Sequence, residues 1–269
     1  MKKLLGFFLI ISVTCLFSRL CLLKPQVESL EKTEYTMLDK PHLTVATYNI
    51  CHGTDADGNL RLHEISSVLS DADIVFICEV DRVFNSRSNY LDELMVLKRL
   101  TGLKYHYFAQ TLEKAKLFNF KGSYGIAILS RYPLKDPKIH YLPTEYFNEP
   151  RAAISFSIEW QNQEVKLLAT HLSPSYQEKN IQLEYIANIA VDTDLLLGDF
   201  NAHPHEIDFL KKSLVLVSAE AKPTFPADNP TFQIDYILYG NKLKLRDSQT
   251  IPVLYSDHLP VRASFYLNE

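Results

Sequence analysis

Glycine and cysteine are scarce in this sequence of 269 residues, which contains 8 glycines and 4 cysteines, and its 13 prolines are no more than the ordinary share. This composition excludes a collagen-like or low-complexity chain. Charged residues make up 22% of the sequence and apolar residues 46%, a balance that also excludes an intrinsically disordered chain. The apolar residues are sufficient for the core of one large globular domain.

Basic residues are also fewer than acidic ones, since the sequence has 28 lysines and arginines but 32 aspartates and glutamates. The imbalance is larger in the body of the chain, because the first 23 residues contain Lys2, Lys3 and Arg19 but no acidic residue. Beyond them, 25 basic side chains face 32 acidic ones, a formal charge of −7. Non-specific affinity for nucleic acids comes mainly from Lys and Arg, so this body is not expected to bind polyanions over a broad surface.

The N-terminus has the pattern of an export segment. Met1, Lys2 and Lys3 precede an uncharged, mostly apolar run at residues 4–18, as in a signal peptide. If Arg19 reaches the lipid headgroups, the run extends to residue 23 and approaches the roughly 20 residues of a spanning helix. There is no Ala-x-Ala cleavage site, so a cleaved signal peptide and a membrane anchor are both open for residues 1–23. Either predicts an exported domain that is secreted, periplasmic or anchored at the outer face of the cytoplasmic membrane.

Residues 24–41 are predicted to be a tether, and residues 42–269 a single domain that contains two of the four cysteines. Both are expected in strands, with Cys51 on the face of Asn49 and Cys78 on the face opposite Glu79. If Asn49 and Glu79 point into one site, the two thiols point apart and no disulfide forms. We interpret both cysteines as small buried hydrophobic residues.

Apolar patterning predicts an α/β fold in which two mixed sheets pack face to face with helices outside. Unbroken apolar runs at residues 74–78 and 195–197 are typical of strands buried on both faces. Helical spacing recurs at residues 62–72 and 90–100, and a third helix carries an apolar stripe of Ile181, Tyr185 and Ile189. The remaining strands are expected at residues 43–50, 105–109, 125–130, 152–160, 165–172, 234–239 and 261–266.

Polar residues that can bind a metal or transfer a proton stand at the ends of these strands. Carboxylates in such places are costly to bury unless they are paired or bind a cation. The economical explanation is that the strand ends converge on one pocket, where loops on a rigid sheet commonly carry catalytic groups. The residues concerned are Asn49, Glu79, His171, Asp199, Asn201, Asp235, Asp257 and His258.

Seven segments in order resemble the endonuclease/exonuclease/phosphatase superfamily, which includes deoxyribonuclease I, abasic-site endonucleases, inositol polyphosphate 5-phosphatases and bacterial sphingomyelinases. The resemblance covers residues 43 to 267 approximately. It implies a four-layered αββα sandwich and hydrolysis of a phosphoester with the help of Mg²⁺. The segments are Thr-Tyr-Asn-Ile at 47–50, Glu79, Gly-Ile-Ala-Ile-Leu-Ser-Arg at 125–131, Thr-His-Leu at 170–172, Gly-Asp-Phe-Asn at 198–201, Ile-Asp-Tyr-Ile at 234–237 and Ser-Asp-His-Leu-Pro at 256–260.

The resemblance also implies a metal site. Glu79 would be the principal metal carboxylate, with Asn49 and Asp257 beside it. Such oxygen ligands suit Mg²⁺, which retains several waters and touches substrate phosphate directly, and Mn²⁺ is the alternative.

Catalytic roles follow from the same resemblance. Asp199 would orient or deprotonate the attacking water, and Asn201 would hold a phosphate oxygen. Asp235 would pair with His258, raising its pKa so that it stays protonated beside the phosphate. His171 would supply a second donor or an acid for the leaving oxygen. These parts suit phosphoryl transfer, which depends on positioning and on neutralising charge.

The chain departs from the family pattern at two places. Cys78 stands where relatives commonly have Gln, at a position expected to face away from the site. The Glu that pairs in deoxyribonuclease I with the histidine matching His171 has no evident counterpart. Arg151 matches an Arg that touches phosphate in some relatives, and Arg82 and Arg87 either reach a substrate headgroup or solvate a loop.

These observations predict an exported phosphodiesterase or phosphatase. A phospholipid-type or small phosphodiester substrate suits the modest charge and the membrane-proximal N-terminus, and a DNA or RNA nuclease of the same fold is the alternative. The stretch at residues 104–124 mixes lysines with aromatics, a pattern that serves base stacking, membrane contact or simply a half-exposed strand pair. A relative that binds phosphate without cleaving it is disfavoured because the catalytic positions are intact. The protein is expected to act as a monomer.

Overall fold

The computed structural model describes residues 41–115, 121–145, 148–214, 217–219 and 222–268. The predicted leader and nearly all of the predicted tether lie outside these residues, as do Lys116, Phe118 and Phe120 of the basic and aromatic stretch. Among the residues described, no helix has both the length and the apolar character needed to cross a membrane.

The described residues form twelve strands and four α-helices, close to the order that the apolar pattern predicts. The strands are β1 (Leu43–Asn49), β2 (Ile74–Arg82), β3 (Tyr105–Ala115), β4 (Lys121–Ser130), β5 (Lys135–Tyr141), β6 (Ala152–Trp160), β7 (Gln163–His171), β8 (Leu195–Asp199), β9 (Val217–Ser218), β10 (Asp235–Tyr239), β11 (Leu243–Thr250) and β12 (Val261–Leu267). The helices are α1 (Leu62–Leu69), α2 (Glu93–Thr101), α3 (Tyr176–Ile189) and α4 (Asp208–Leu214).

The strands form two six-stranded mixed sheets. The first has the order β11-β12-β1-β2-β4-β3 and the second β5-β6-β7-β8-β10-β9. Each contains one parallel pair, β1 with β2 and β7 with β8, and its other neighbours are antiparallel. The predicted mixed character of the sheets is therefore confirmed.

Three apolar cores separate four layers. The central core fills the space between the sheets with residues such as Phe76, Ile154 and Phe265. A second core joins the first sheet to α1 and α2, and a third joins the second sheet to α3 and α4. This arrangement confirms the αββα sandwich, because each sheet buries one face against the other sheet and one against helices.

The predicted apolar stripe of α3 is wrong for Ile181 only, because Tyr185 and Ile189 are partly buried against the third core. Ile181 is 53% exposed, and the buried face carries Gln182, Leu183 and Ile186 instead. Gln182 can be buried because its amide donates to the carbonyl of Pro143 and accepts from the backbone of Ser173. Satisfied polar groups can thus replace apolar ones on a packed face, which periodicity does not reveal.

The sequence pattern does not predict strands β5 and β11, nor the two-residue β9. Strands β5 and β11 are edge strands with mixed polar composition, and most of their residues are half-buried or exposed. Such strands lack the apolar run that identifies a buried strand. Their pairing with β6 and β12 defines them only in the folded protein.

Candidate active site

The two parallel strand pairs bring the polar strand ends to one edge of the sandwich. Asn49 ends β1, and Glu79 lies near the end of its parallel neighbour β2. In the second sheet His171 ends β7 opposite Asp199, the last residue of β8, and Asp199 also pairs with Asp235 at the start of antiparallel β10. Because parallel strands end at the same edge and antiparallel ones begin there, these side chains collect in one place.

Gly198 allows the strands beneath this edge to approach closely. Its φ is +145°, and a Cβ atom built there would lie 1.8 Å from the carbonyl oxygen of Thr170 in β7. No side chain fits at that distance, which explains the glycine before Asp199.

A β-bulge in β2 directs two successive side chains toward the site. The pairing with β4 shifts register between Ile77 and Val80, and Glu79 has a φ of 60°. The strict alternation of faces is therefore broken. The prediction that Cys78 faces away from the site was wrong, because its Sγ lies within 4.8 Å of ligand atoms of His171 and Asp199.

The predicted face of Cys51 also needs correction. Cys51 does not continue β1 but begins a short 3-10 turn, Cys51–Gly53, in which Cys51 and His52 both have positive φ. Cys51 is only partly buried, whereas Cys78 is fully buried as expected. Both thiols are free, so the prediction of no disulfide between them is confirmed.

Asn49 connects the two halves of the site. Its Nδ2 donates to Glu79 Oε1 at 3.0 Å and to Asp199 Oδ2 at 3.1 Å. Its Oδ1 accepts from the backbone N–H of Cys51, which fixes the amide orientation. One buried amide thus places a carboxylate from each sheet within hydrogen-bond reach.

His258 carries the positive charge of the site. Its Nδ1 bonds Asp235 Oδ2 at 2.9 Å, and its Nε2 lies 3.8 Å from Asp199 Oδ2. Burial by itself lowers the pKa of His258, but the carboxylates of Asp235 and Asp199 outweigh it and raise that pKa to about 10. The ring is therefore an imidazolium at neutral pH, and its segment is anchored by Ser256 Oγ, which donates to the carbonyl of Asn49 at 2.7 Å.

Asp199 has the properties of a base. Burial and the adjacent Asp235 raise its pKa to about 7, close to the value at which a carboxylate transfers protons efficiently at neutral pH. Its Oδ1 accepts from the backbone N–H of Asn201 at 2.9 Å. The side-chain amide of Asn201 donates to the carbonyl of Leu172, so part of its donor capacity is used within the loop.

His171 has Arg151 as its neighbour rather than a glutamate. Arg151 Nη1 lies 2.8 Å from His171 Nδ1 and 3.0 Å from Nε2, and it also pairs with Glu149 at 3.0 Å. Burial and the positive charge of Arg151 hold the pKa of His171 well below its usual value. In this arrangement the neutral ring accepts from the guanidinium, and its donor or acid role stays a prediction.

The oxygen donors at the mouth of the site fit a hard divalent cation. Burial raises the pKa of Glu79, and the negative charge of Asp257 raises it further. Together with the Asn49 side-chain oxygen, the carboxylates of Glu79 and Asp257 form an oxygen donor set of the kind that Mg²⁺ favours. Glu79, Asp257 and Asn49 are therefore the residues that could hold the metal.

His52 was not among the predicted site residues. Its Nε2 lies 3.4 Å from Glu79 Oε2, and burial together with Arg87 lowers its pKa to about 4, so the ring is neutral. Its place three residues after β1 was the available signal, because the left-handed turn at residues 51–52 carries its side chain toward β2.

Arg82 makes its contacts away from the candidate active site around Asn49. It forms a two-pronged ion pair with Asp92, with its Nη2 2.8 Å from Oδ2, and its guanidinium lies over the ring of Phe108. Arg87 makes an equivalent pair with buried Asp81 and lies over the ring of Tyr124. For Arg82 the contacts support the loop-stabilising alternative.

Glu93 is a fully buried carboxyl behind the turn that carries His52. Its Oε2 accepts from the backbone N–H of Asp81 at 2.7 Å, while Oε1 has no partner among the residues described. Burial and the neighbouring Asp81 raise its pKa to about 9. The carboxyl therefore keeps its proton in the folded protein at neutral pH.

We expect Glu93→Gln to change how stability depends on pH. An unfolded glutamate ionises near 4.5 and the folded one near 9, so the wild type loses stability as pH rises between these values. The loss is at most about 1.4 kcal/mol per pH unit, and the variant lacks it. Denaturant unfolding of both proteins from about pH 5 to about pH 8 measures the two slopes. Parallel stability curves would contradict a protonated Glu93.

A four-layered sandwich that carries a cluster of acidic residues and histidines at one edge is typical of a class of phosphoesterases. The chain belongs to the endonuclease/exonuclease/phosphatase family, whose sequence model matches residues 46–258. Members of this family are generally hydrolytic phosphoesterases. Among curated proteins, none matches the sequence.

Solved structures share the fold. An endonuclease/exonuclease/phosphatase from Beutenbergia cavernae superposes with a TM-score of 0.68 and 20% identity, over 84% of this chain and 72% of its own. A mannosyl-6-phosphatase from Bacteroides thetaiotaomicron gives 0.64 and 15%, over 84% and 100%. Beta toxin from Staphylococcus aureus, solved with bound magnesium ions, gives 0.65 and 16%, over 83% and 99%. At these identities the similarity concerns the fold alone.

Proposed function

We propose that this protein is a Mg²⁺-dependent phosphoric ester hydrolase acting on a phospholipid-type or small phosphodiester substrate. The observation that carries the proposal is the single Asn49 amide, which bonds both Glu79 and Asp199. His258, charged through its pair with Asp235, has its Nε2 3.8 Å from Asp199 Oδ2 and 3.5 Å from Asn49 Nδ2. A metal carboxylate, a base and a fixed cation thus surround one point, as phosphoryl transfer requires.

Under this proposal each residue of the site has its own role in the reaction. Glu79 and Asp257 would hold the cation, which when bound supplies positive charge against a phosphate oxygen. Asp199 would accept a proton from the attacking water. The His258 imidazolium would donate to a non-bridging oxygen and stabilise the charge that develops there.

The crevice next to Asp199 and His258 could accommodate an anionic group of the substrate. Arg151 and His171 line this crevice with Tyr124, Glu149 and Thr111. Arg151 is 8% exposed, and its guanidinium lies beside the neutral ring of His171 and pairs with Glu149 at 3.0 Å, a partner that a phosphate group would replace. Arg151 would therefore contact the substrate phosphate or its leaving oxygen.

The choice of a small or lipid-type ester rests on charge. Lys121, in the hairpin of β3 and β4, is neutralised by Glu113 at 2.8 Å, which weakens the hairpin as a polyanion surface. The relatives solved as a mannosyl-6-phosphatase and as a magnesium-bound toxin agree with a non-polymeric substrate and with Mg²⁺. Export, membrane proximity through the N-terminal segment and a monomeric state complete the proposal, and rest on the sequence pattern.

A substrate panel tests this function. The purified full chain, in mild detergent, is incubated with an aryl phosphodiester, sphingomyelin, phosphoinositides, plasmid DNA and RNA, each with Mg²⁺ and with chelator. We expect Mg²⁺-dependent turnover of the aryl ester and of one lipid class. Cleavage of DNA or RNA without lipid turnover would support the nuclease instead, and no turnover of any substrate would contradict a hydrolase.

A further inference from the structure

A thiol, an imidazole and a carboxylate meet at the mouth of the site. Ligand atoms of Cys51, His52 and Glu79 all lie within 4.8 Å of one another, and His52 Nε2 is 3.4 Å from Glu79 Oε2. All three residues are partly exposed, so an ion can enter from solvent. This cluster shares Glu79 with the magnesium ligands but adds two donors that Mg²⁺ does not favour.

The donor types match a different class of metal. Mg²⁺ selects oxygen ligands, whereas thiolate sulfur and imidazole nitrogen select Zn²⁺ and similar thiophilic ions. Zn²⁺ sits about 2.0–2.3 Å from such atoms and takes four ligands in a tetrahedron. Side-chain rotations that bring the three atoms to these distances would leave the fourth position for water.

The surrounding charge also suits a cation. Glu79 brings a carboxylate into the cluster, with its Oε2 3.4 Å from His52 Nε2. Of the positive groups near the cluster, Arg87 is already paired with Asp81 through two hydrogen bonds, and His258 is paired with Asp235. A cation would therefore meet a net negative field here.

We propose that Cys51, His52 and Glu79 form a binding site for a thiophilic divalent ion such as Zn²⁺, and that its occupancy withdraws Glu79 from the magnesium site. On binding, the Cys51 thiol gives its proton to the buffer as the sulfur–metal bond forms, with no change of oxidation state. Binding itself does not require phosphoesterase activity. Its inhibitory consequence rests on the proposed function.

A second cluster that contains a thiol is the alternative binding site for the ion. Cys78 lies with His171 and Asp199, and all three are buried. The Arg151 guanidinium lies within 3.0 Å of both His171 ring nitrogens, so a cation there would face a fixed positive charge. The Cys51 cluster is therefore the favoured site, and Cys78 is a matched control.

Cobalt absorption tests the location of the ion. The protein is the full chain carrying Cys15→Ser and Cys21→Ser, which leaves only Cys51 and Cys78, and the probe is Co²⁺ followed by Zn²⁺ displacement. We expect a thiolate-to-cobalt charge-transfer band that persists in Cys78→Ser and disappears in Cys51→Ser. Zn²⁺ affinity should fall by more than about 100-fold in Cys51→Ser, since even an indirect metal contact contributes about 10–100-fold.

Other outcomes of the cobalt experiment would overturn the proposed binding site, and the hydrolysis assay tests its inhibitory effect separately. A band that survives Cys51→Ser and is lost in Cys78→Ser would place the ion in the buried cluster and overturn the proposal, as would no band in the background protein. In the hydrolysis assay, the Zn²⁺ concentration that halves each protein's own Mg²⁺-supported rate should rise in Cys51→Ser. If Mg²⁺ supports no hydrolysis at all, the proposed function fails, while the cobalt band still decides the binding site.

Discussion

Glu79→Gln should abolish Mg²⁺-stimulated hydrolysis, lowering kcat/KM by about 10³-fold or more. The change removes the negative charge that would hold the proposed cation, and a metal's stabilisation of phosphoryl transfer amounts to several kcal/mol, at about 1.4 kcal/mol per tenfold in rate. The glutamine carbonyl can still accept from Asn49 Nδ2, so the fold should be preserved. Steady-state kinetics against Mg²⁺ concentration, with calorimetric Mg²⁺ titration, measures both effects.

Glu159→Gln is the matched control for this substitution. Glu159 lies near the end of β6 remote from the active-site edge, is exposed, and pairs only with exposed Lys135 in the contacts described. Exposed ion pairs contribute about 1 kcal/mol or less, so this variant should retain wild-type kinetics. A Glu79→Gln protein that keeps Mg²⁺ stimulation would place the metal elsewhere.

The second large effect is expected for Asp199→Asn. Asparagine keeps the shape of the side chain but cannot accept a proton from water, so kcat should fall by roughly 10²–10⁴-fold. Mg²⁺ binding should remain, because Glu79 and Asp257 are untouched. The combination of lost turnover and retained metal binding distinguishes a base from a metal ligand.

The pH dependence of activity is a second test of Asp199 as the base. A base must be unprotonated, so wild-type activity rises with pH through the pKa of Asp199, which is about 7 without metal and lower beside a bound cation. The residual activity of Asp199→Asn should lack this acidic limb. Asp192→Asn, an exposed change at a left-handed residue before β8 where asparagine is readily accepted, should leave the profile unchanged. A near wild-type kcat in Asp199→Asn would assign the base to another group.

Much of this fold could be predicted from local pattern. The apolar runs of β2 and β8 identify strands buried on both faces, and each is followed by a polar residue whose burial needs a reason. The pairing of Asp235 with His258, implied by the family resemblance, is present at 2.9 Å. These features depend on short segments and their order, which the sequence contains in full.

Other features depended on contacts between distant segments. The register shift in β2 arises from its pairing with β4 and turns both Cys78 and Glu79 toward the site, against the alternation expected of a strand. The burial of Gln182 in α3 requires the backbone N–H of Ser173 as a donor and the carbonyl of Pro143 as an acceptor. Neither contact has a local signature.

The amino-acid order alone was therefore enough for the family, the layered α/β architecture and the set of chemically competent strand ends. Their assembly was decided in three dimensions. Two parallel strand pairs, one in each sheet, had to place their ends at the same edge before the Asn49 amide could reach both Glu79 and Asp199. The same packing set Arg151 beside His171 and carried Cys51 and His52 to Glu79. Burial and neighbouring charge then shifted the pKa values of Asp199 and His258, and both depend on residues far apart in the chain.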